Sequence, residues 1–155
     1  MKLYEFTLKF ALPDAVHNAE NYVAALAQSG CDDALIGIGQ PGRIALQFSR
    51  EANNAFAAIT SAIKDVKTAI PRASLIEATP DLVGLTDIVD LLGFSRQNMR
   101  KLMLSHSQSF PAPLHSGSTS IWHLAKVLSW FTKQQNKAVT PEIAEVAQVT
   151  MQVNI

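Results

Sequence analysis

Apolar and polar residues alternate at the start of the chain. Leu3, Tyr4, Phe6, Leu8 and Phe10 lie in a pattern that predicts a strand. Pro13 and Asp14 then open a helix that runs to about Ser29, with Val16, Tyr22, Val23, Leu26 and Ala27 as candidate buried residues. Gly30 ends it. Residues 34–39 and 43–49 read as two strands joined by Gln40-Pro41-Gly42, a compact turn. A second helix is expected over 52–69, with Phe56, Ile59, Ile63 and Val66 on one face, and a last strand over 74–78. The elements run β-α-β-β-α-β.

That order is the ferredoxin-like arrangement. Four strands with helices on one face leave the other face open, and Leu3, Gly37 and Ala45 promise no strongly polar covering there. Dimerisation through that face or an edge strand is the first expectation. Thr79-Pro80-Asp81 marks a boundary, so residues 1–79 read as one domain.

Residues 82–105, LVGLTDIVDLLGFSRQNMRKLMLS, change character. Thr86 is the expected N-cap of a helix to about Leu92, with Asp87 and Asp90 near its positive end. Ile88, Leu91 and Leu92 form its apolar stripe. Gly93 supplies the left-handed cap, Phe94 plugs the turn and Ser95 caps a second helix. Met99, Leu102 and Met103 face inward on that second helix. Two helices about a tight glycine turn make a helix-turn-helix, whose second helix presents its N-terminal residues to the major groove. Ser95, Arg96, Gln97 and Asn98 occupy those positions, and Arg100 and Lys101 follow one turn later, suited to phosphates.

Charge adds to this picture. The chain is neutral, with 13 basic and 13 acidic residues, but no Asp or Glu lies between Leu91 and Pro141. Residues 81–139 carry 6 basic against 3 acidic side chains, while 1–80 carry 7 against 8. A local positive field on a neutral protein suits binding to phosphates. Beyond the second helix, 106–122 is rich in Ser, Pro and Gly. Leu114 and His115 start one strand, Ser116 to Thr119 form a tip, and Ser120, Ile121 and Trp122 return. A closing helix is expected over 123–135, with Leu124, Val127, Leu128 and Phe131 on one face.

The run GLTDIVDLLGFSRQNMRKL followed by FPAPLHSGSTSIWHLAKVLSWF resembles the small phage-type regulators of the AlpA/excisionase group, within the MerR-like winged-helix superfamily. The resemblance covers about residues 82–134. It implies a winged helix-turn-helix over 82–136 that binds double-stranded DNA. Ser95, Arg96, Gln97, Asn98 and Arg100 would face DNA from the helix, and His115, Ser116, Gly117 and Ser118 from the wing. The wing tip, HSGSTS, departs from the group in carrying no Arg or Lys. Together with the first half this gives an α+β chain, a ferredoxin-like domain followed by a winged helix-turn-helix. The tail 139–155 reads as a further amphipathic helix opened by Thr140-Pro141-Glu142, with Ile143, Val146, Val149 and Val153 as its stripe.

Other chemistry finds little purchase. Trp122 and Trp130 are expected to pack in the core rather than stack on bases. The histidines between 106 and 123 fit no zinc spacing, and the single Cys31 excludes an internal disulfide. Asp32 and Asp33, as strand neighbours, would point to opposite faces, which argues against paired-carboxylate or metal chemistry. GIGQPG at 37–42 lies between two strands, not before a helix, so it is a hairpin and not a phosphate loop. No catalytic residue, metal or cofactor is expected, and no apolar run reaches membrane-spanning length. The expected function is a cytoplasmic, sequence-specific transcriptional regulator, an autoregulating repressor acting as a homodimer, with Thr86, Ser95, Arg96, Gln97, Asn98, Arg100, Lys101 and His115 to Ser118 as its DNA-binding residues. Two alternatives stand beside it: an antitoxin binding both toxin and operator, and a protein-interaction or effector-binding scaffold.

Overall fold

The computed structural model describes residues 1–13, 22–37, 40–135 and 139–155, and shows a mixed α+β chain. A four-stranded antiparallel sheet comprises β1 (Lys2–Ala11), β2 (Ala34–Gly37), β3 (Arg43–Ala52) and β4 (Ser74–Thr79), in the order β2-β3-β1-β4. Alternation decides its faces. Tyr4, Phe6, Leu8 and Phe10 of β1 and Ile44, Leu46 and Phe48 of β3 are all buried on one side. Phe6 and Phe48 stand opposite each other in register and stack with centroids 5.3 Å apart. Helices α1 (Val23–Gln28) and α2 (Ala55–Ala69) belong to this core. The opening half of the first expected helix, with Asp14 and Val16, and the strand end at 38–39 lie outside the described residues.

Several expectations shift in detail. β3 runs three residues further, to Ala52, and α2 starts at Ala55, where the Asn54 side chain accepts from Ala57 N–H at 2.7 Å. Its buried stripe is Ala55, Ala58, Ile59, Ala62 and Val66, so Phe56 is 61 % exposed. The alanines let the helix approach the aromatic sheet face closely, a role that hydrophobicity alone does not announce. Val23 and Ala27 face solvent, and Leu26 carries the α1 contact. The open sheet face is more polar than expected. Leu3, Gly37 and Ala45 share it with Glu5, Lys9, Gln47, Glu51 and Glu77.

Asp32 and Asp33 are turn residues before β2, not strand neighbours. Asp33 takes a bidentate pair from Arg50, at 2.8 and 3.0 Å. Arg50 also donates to Asp65 at 2.9 Å, to Ser61 at 3.1 Å and to the Gly30 carbonyl at 2.7 Å. All of its donors point at acceptors, which is what permits a guanidinium to be buried beside the Phe48 ring. Gly30 belongs to this arrangement. Its φ is +106°, and a Cβ there would meet the Asp65 carboxylate at 2.8 Å.

The second half builds its own core. A three-stranded sheet, β5 (Leu82–Val83), β7 (Ser120–His123) and β6 (His115–Ser116), stands with α3 (Leu85–Leu92), α4 (Arg96–Ser105) and α5 (Leu124–Gln134). β5 was not expected, because two residues carry no periodicity. Val83 pairs with Trp122 across the ladder. The core gathers Ile88, Val89, Met99, Trp122, Leu124, Val127, Leu128, Trp130 and Phe131. Both tryptophans are buried as expected, and each indole N–H has a partner: Trp122 donates to the Pro111 carbonyl and Trp130 to the Ser109 hydroxyl. Phe110 lies between them at edge-to-face angles.

Helix α6 (Pro141–Val153) joins the halves. Val146 and Val149 enter the first core, and Ala147 the second. Its polar residues tie the same seam. Glu145 accepts from the Ala55 N–H at the start of α2 at 2.7 Å and from the Tyr4 hydroxyl at 3.2 Å. Thr150 donates to the Pro80 carbonyl. Asn154 donates to Asp81, which also meets His123 Nδ1 at 2.7 Å. The stripe expected on the tail is therefore real, and its partner is this chain.

Candidate nucleic-acid interface

The glycine corner forms as the sequence suggests. Gly93 has φ +73°, and its N–H returns to the Val89 carbonyl, closing α3. Phe94 packs on Phe131 with centroids 5.6 Å apart, holding the turn against α5. Ser95 then caps α4, accepting from Asn98 N–H at 3.1 Å. Met99 is fully buried, with Leu102 and Met103 partly so. The opposite face of α4 follows from that anchoring. Arg96, Gln97, Asn98, Arg100 and Lys101 are all exposed. Among the described residues none forms a salt bridge with Arg96, Arg100 or Lys101.

Two details differ at α3. The N-cap is Gly84, not Thr86. The Asp87 carboxylate accepts from Gly84 N–H at 3.0 Å, so the helix starts two residues earlier than a hydroxyl cap would place it. Thr86 is thereby freed to project from the first turn, where its hydroxyl accepts a hydrogen bond from Arg96. The buried pair on α3 is Ile88 and Val89, and Leu91 is exposed.

The hairpin lies across from this surface. β6 and β7 pair His115 with Ile121 and Ser116 with Ser120. His115, Ser116, Gly117 and Ser118 are exposed. A Cβ on Gly117 would lie 3.0 Å from His115 Nε2, so the glycine lets the imidazole fold over the tip. A groove of about 760 Å³ runs between the start of α3, the exposed face of α4 and the returning arm of the hairpin. Thr86, Arg96, Arg100 and Ser118 of the expected site line it, together with Thr119 and Ser120. Asp87 is the acidic member of that lining. Gln97, Asn98, Lys101, His115, Ser116 and Gly117 lie outside it, on the exposed helix face and hairpin. Ser95 is committed to its cap.

Thr119 and Ser120 were missed by sequence reasoning. The strand order β5-β7-β6 puts the returning arm inside the sheet, and it is this arm, not the outgoing one, that lines the groove with α4. Among the described residues no group of three His, Cys, Asp or Glu side chains is placed to hold a metal, and no helix is long and apolar enough to cross a membrane. No family model, curated protein or solved structure matches the chain significantly.

Proposed function

We propose that the chain is a DNA-binding transcriptional regulator, with a ferredoxin-like first half and a winged helix-turn-helix second half of the AlpA/excisionase type. One observation carries the reading. Five exposed donors on α4, two of them opening into a groove shared with Thr86 and the hairpin hydroxyls, stand on a helix that Met99 and the Ser95 cap hold rigidly.

In this reading α4 enters the major groove. Gln97 and Asn98 have the donor-acceptor pairs that suit adenine edges, and arginine suits guanine or phosphate. Arg96 and Arg100 flank a groove wide enough for a backbone phosphate, where serine and threonine hydroxyls add neutral donors. The wing contributes hydroxyls and one imidazole in place of a cation, so its contact is weak and most affinity comes from α4. A module with so few cations gains from two copies on a two-fold-related site, and occupancy of such an operator gives repression.

The test is binding of the purified protein to the DNA upstream of its own gene, against a scrambled duplex, through a salt series. Preference for the upstream duplex, with two chains per site and a complex that weakens with salt, supports the regulator. Equal binding to both duplexes, or none at low salt, refutes sequence-specific recognition.

A further inference from the structure

Strand β1 is bonded along its whole length on one side and along half of it on the other. β3 pairs with it from Lys2 to Ala11 without a shift, whereas β4 pairs only from Thr7 to Ala11. Asn154 reveals which backbone groups face which way. Its side chain accepts from Ala78 N–H and donates to the Ala78 carbonyl, both at 2.7 Å. Ala78 therefore turns both groups away from β1. It stands opposite Leu8, so Leu8 bonds toward β3, and Thr7 and Lys9 bond toward β4. Strand groups alternate with a period of two. Leu3 and Glu5 thus direct N–H and C=O to the β4 side, beyond the end of β4 at Thr79. Asp81, the next residue whose groups would face β1, gives its carbonyl to the Leu124 N–H instead. Among the described residues nothing hydrogen-bonds these four groups.

This edge lies between two grooves. Toward α6, Leu3 and Glu5 meet Ile143 and Val146 around about 470 Å³. On the other side Glu5 and Thr7 meet Leu82 and Asp87 around about 360 Å³. We infer that the free edge of β1 receives an extended segment of another protein, which adds as a short strand with alternating apolar and basic residues. Unpaired ladder groups call for a peptide backbone. The floor on the α6 side is apolar. The other side is acidic: Glu5 and Asp87 line one groove, and Glu51 stands beside Leu3 in register. A single strand at about 3.3 Å per residue spans Leu3 to Glu5 with three or four residues. No α4 residue or hairpin residue lines either groove, but Leu82, Val83 and Asp87 of the second one also line the candidate DNA groove, so the two surfaces adjoin.

Amide exchange of the isotope-labelled full chain tests this, first alone and then with acetyl-(Lys-Val)4-amide or acetyl-(Glu-Val)4-amide. In the dilute free protein Leu3 and Glu5 amides should exchange at least about tenfold faster than those of Tyr4 and Phe6. The Lys-Val peptide should protect both, the Glu-Val peptide should not, and Glu5→Lys should weaken binding about fivefold. Slow exchange at Leu3 and Glu5 in the free protein overturns the inference. So does protection that grows with protein concentration alone, which would make a second copy the occupant. Equal binding of the acidic peptide, or basic-peptide binding that leaves both amides unprotected, overturns it as well.

Discussion

Arg96 and Arg100 allow the DNA-binding reading to be tested quantitatively. Both line the groove beside α4, and neither is neutralised by a salt bridge among the described residues. If each meets a phosphate, each releases counterions, and each contact contributes about 0.9 to the slope of log affinity against log salt. Between 50 and 200 mM salt one such contact corresponds to about a threefold loss of affinity, so two account for about tenfold. Arg96→Ala and Arg100→Ala should each flatten the slope by about 0.9, and the double variant by about 1.8. Gln97→Ala and Asn98→Ala should behave differently. They carry no charge, so the slope should hold while the preferred duplex loses about 1–3 kcal/mol relative to a scrambled one. Fluorescence anisotropy on labelled duplexes at five salt concentrations separates the two behaviours. Wild-type slopes in both arginine variants, with the fold intact by circular dichroism, would remove phosphate contact from this groove.

Three further predictions concern how the scaffold holds. Glu145→Ala should cost about 1–3 kcal/mol in urea unfolding, because it leaves the Ala55 N–H at the start of α2 and the Tyr4 hydroxyl without their acceptor, and Glu145→Gln should recover part of that. Arg50→Ala should cost about 3 kcal/mol or more by leaving Asp33 and Asp65 facing each other without their cation, and Arg50→Lys should recover only part because it lacks the fork; a wild-type unfolding midpoint would contradict both. Burial, with the Asp65 carboxylate nearby, pushes the Cys31 thiol from 9.0 up to about 11. The folded state thus holds the proton more tightly than the unfolded state. That stabilisation is complete below pH 9 and lost as pH rises toward 11, by up to about 3 kcal/mol. Cys31→Ala should abolish this component, so unfolding curves of the two proteins that stay parallel from pH 8 to 11 would refute it. Alkylation at pH 8 should also be slow until urea is added.

Much of this architecture was legible along the chain because it is local. Period-two alternation located β1, β3 and the inward face of the sheet. The left-handed glycine at 93 and the hydroxyl at 95 placed the corner, since both act on backbone within one turn of themselves. The exposed face of α4 followed from the positions of Met99, Leu102 and Met103. Other features depend on partners far away in sequence, where no periodicity reports them. Thr86 looked like a cap until Asp87 took the Gly84 N–H. Phe56 looked buried until small alanines set the rotation of α2. Arg50 drew no attention, because its acceptors come from turn, helix and carbonyl positions 11 to 20 residues away. The amphipathic stripe of α6 was visible from sequence, but a stripe states only that something covers it. Tertiary structure decided that the cover is the seam between the two cores, because only there do Val146, Ala147 and Glu145 meet apolar surface and the free first N–H of α2 together.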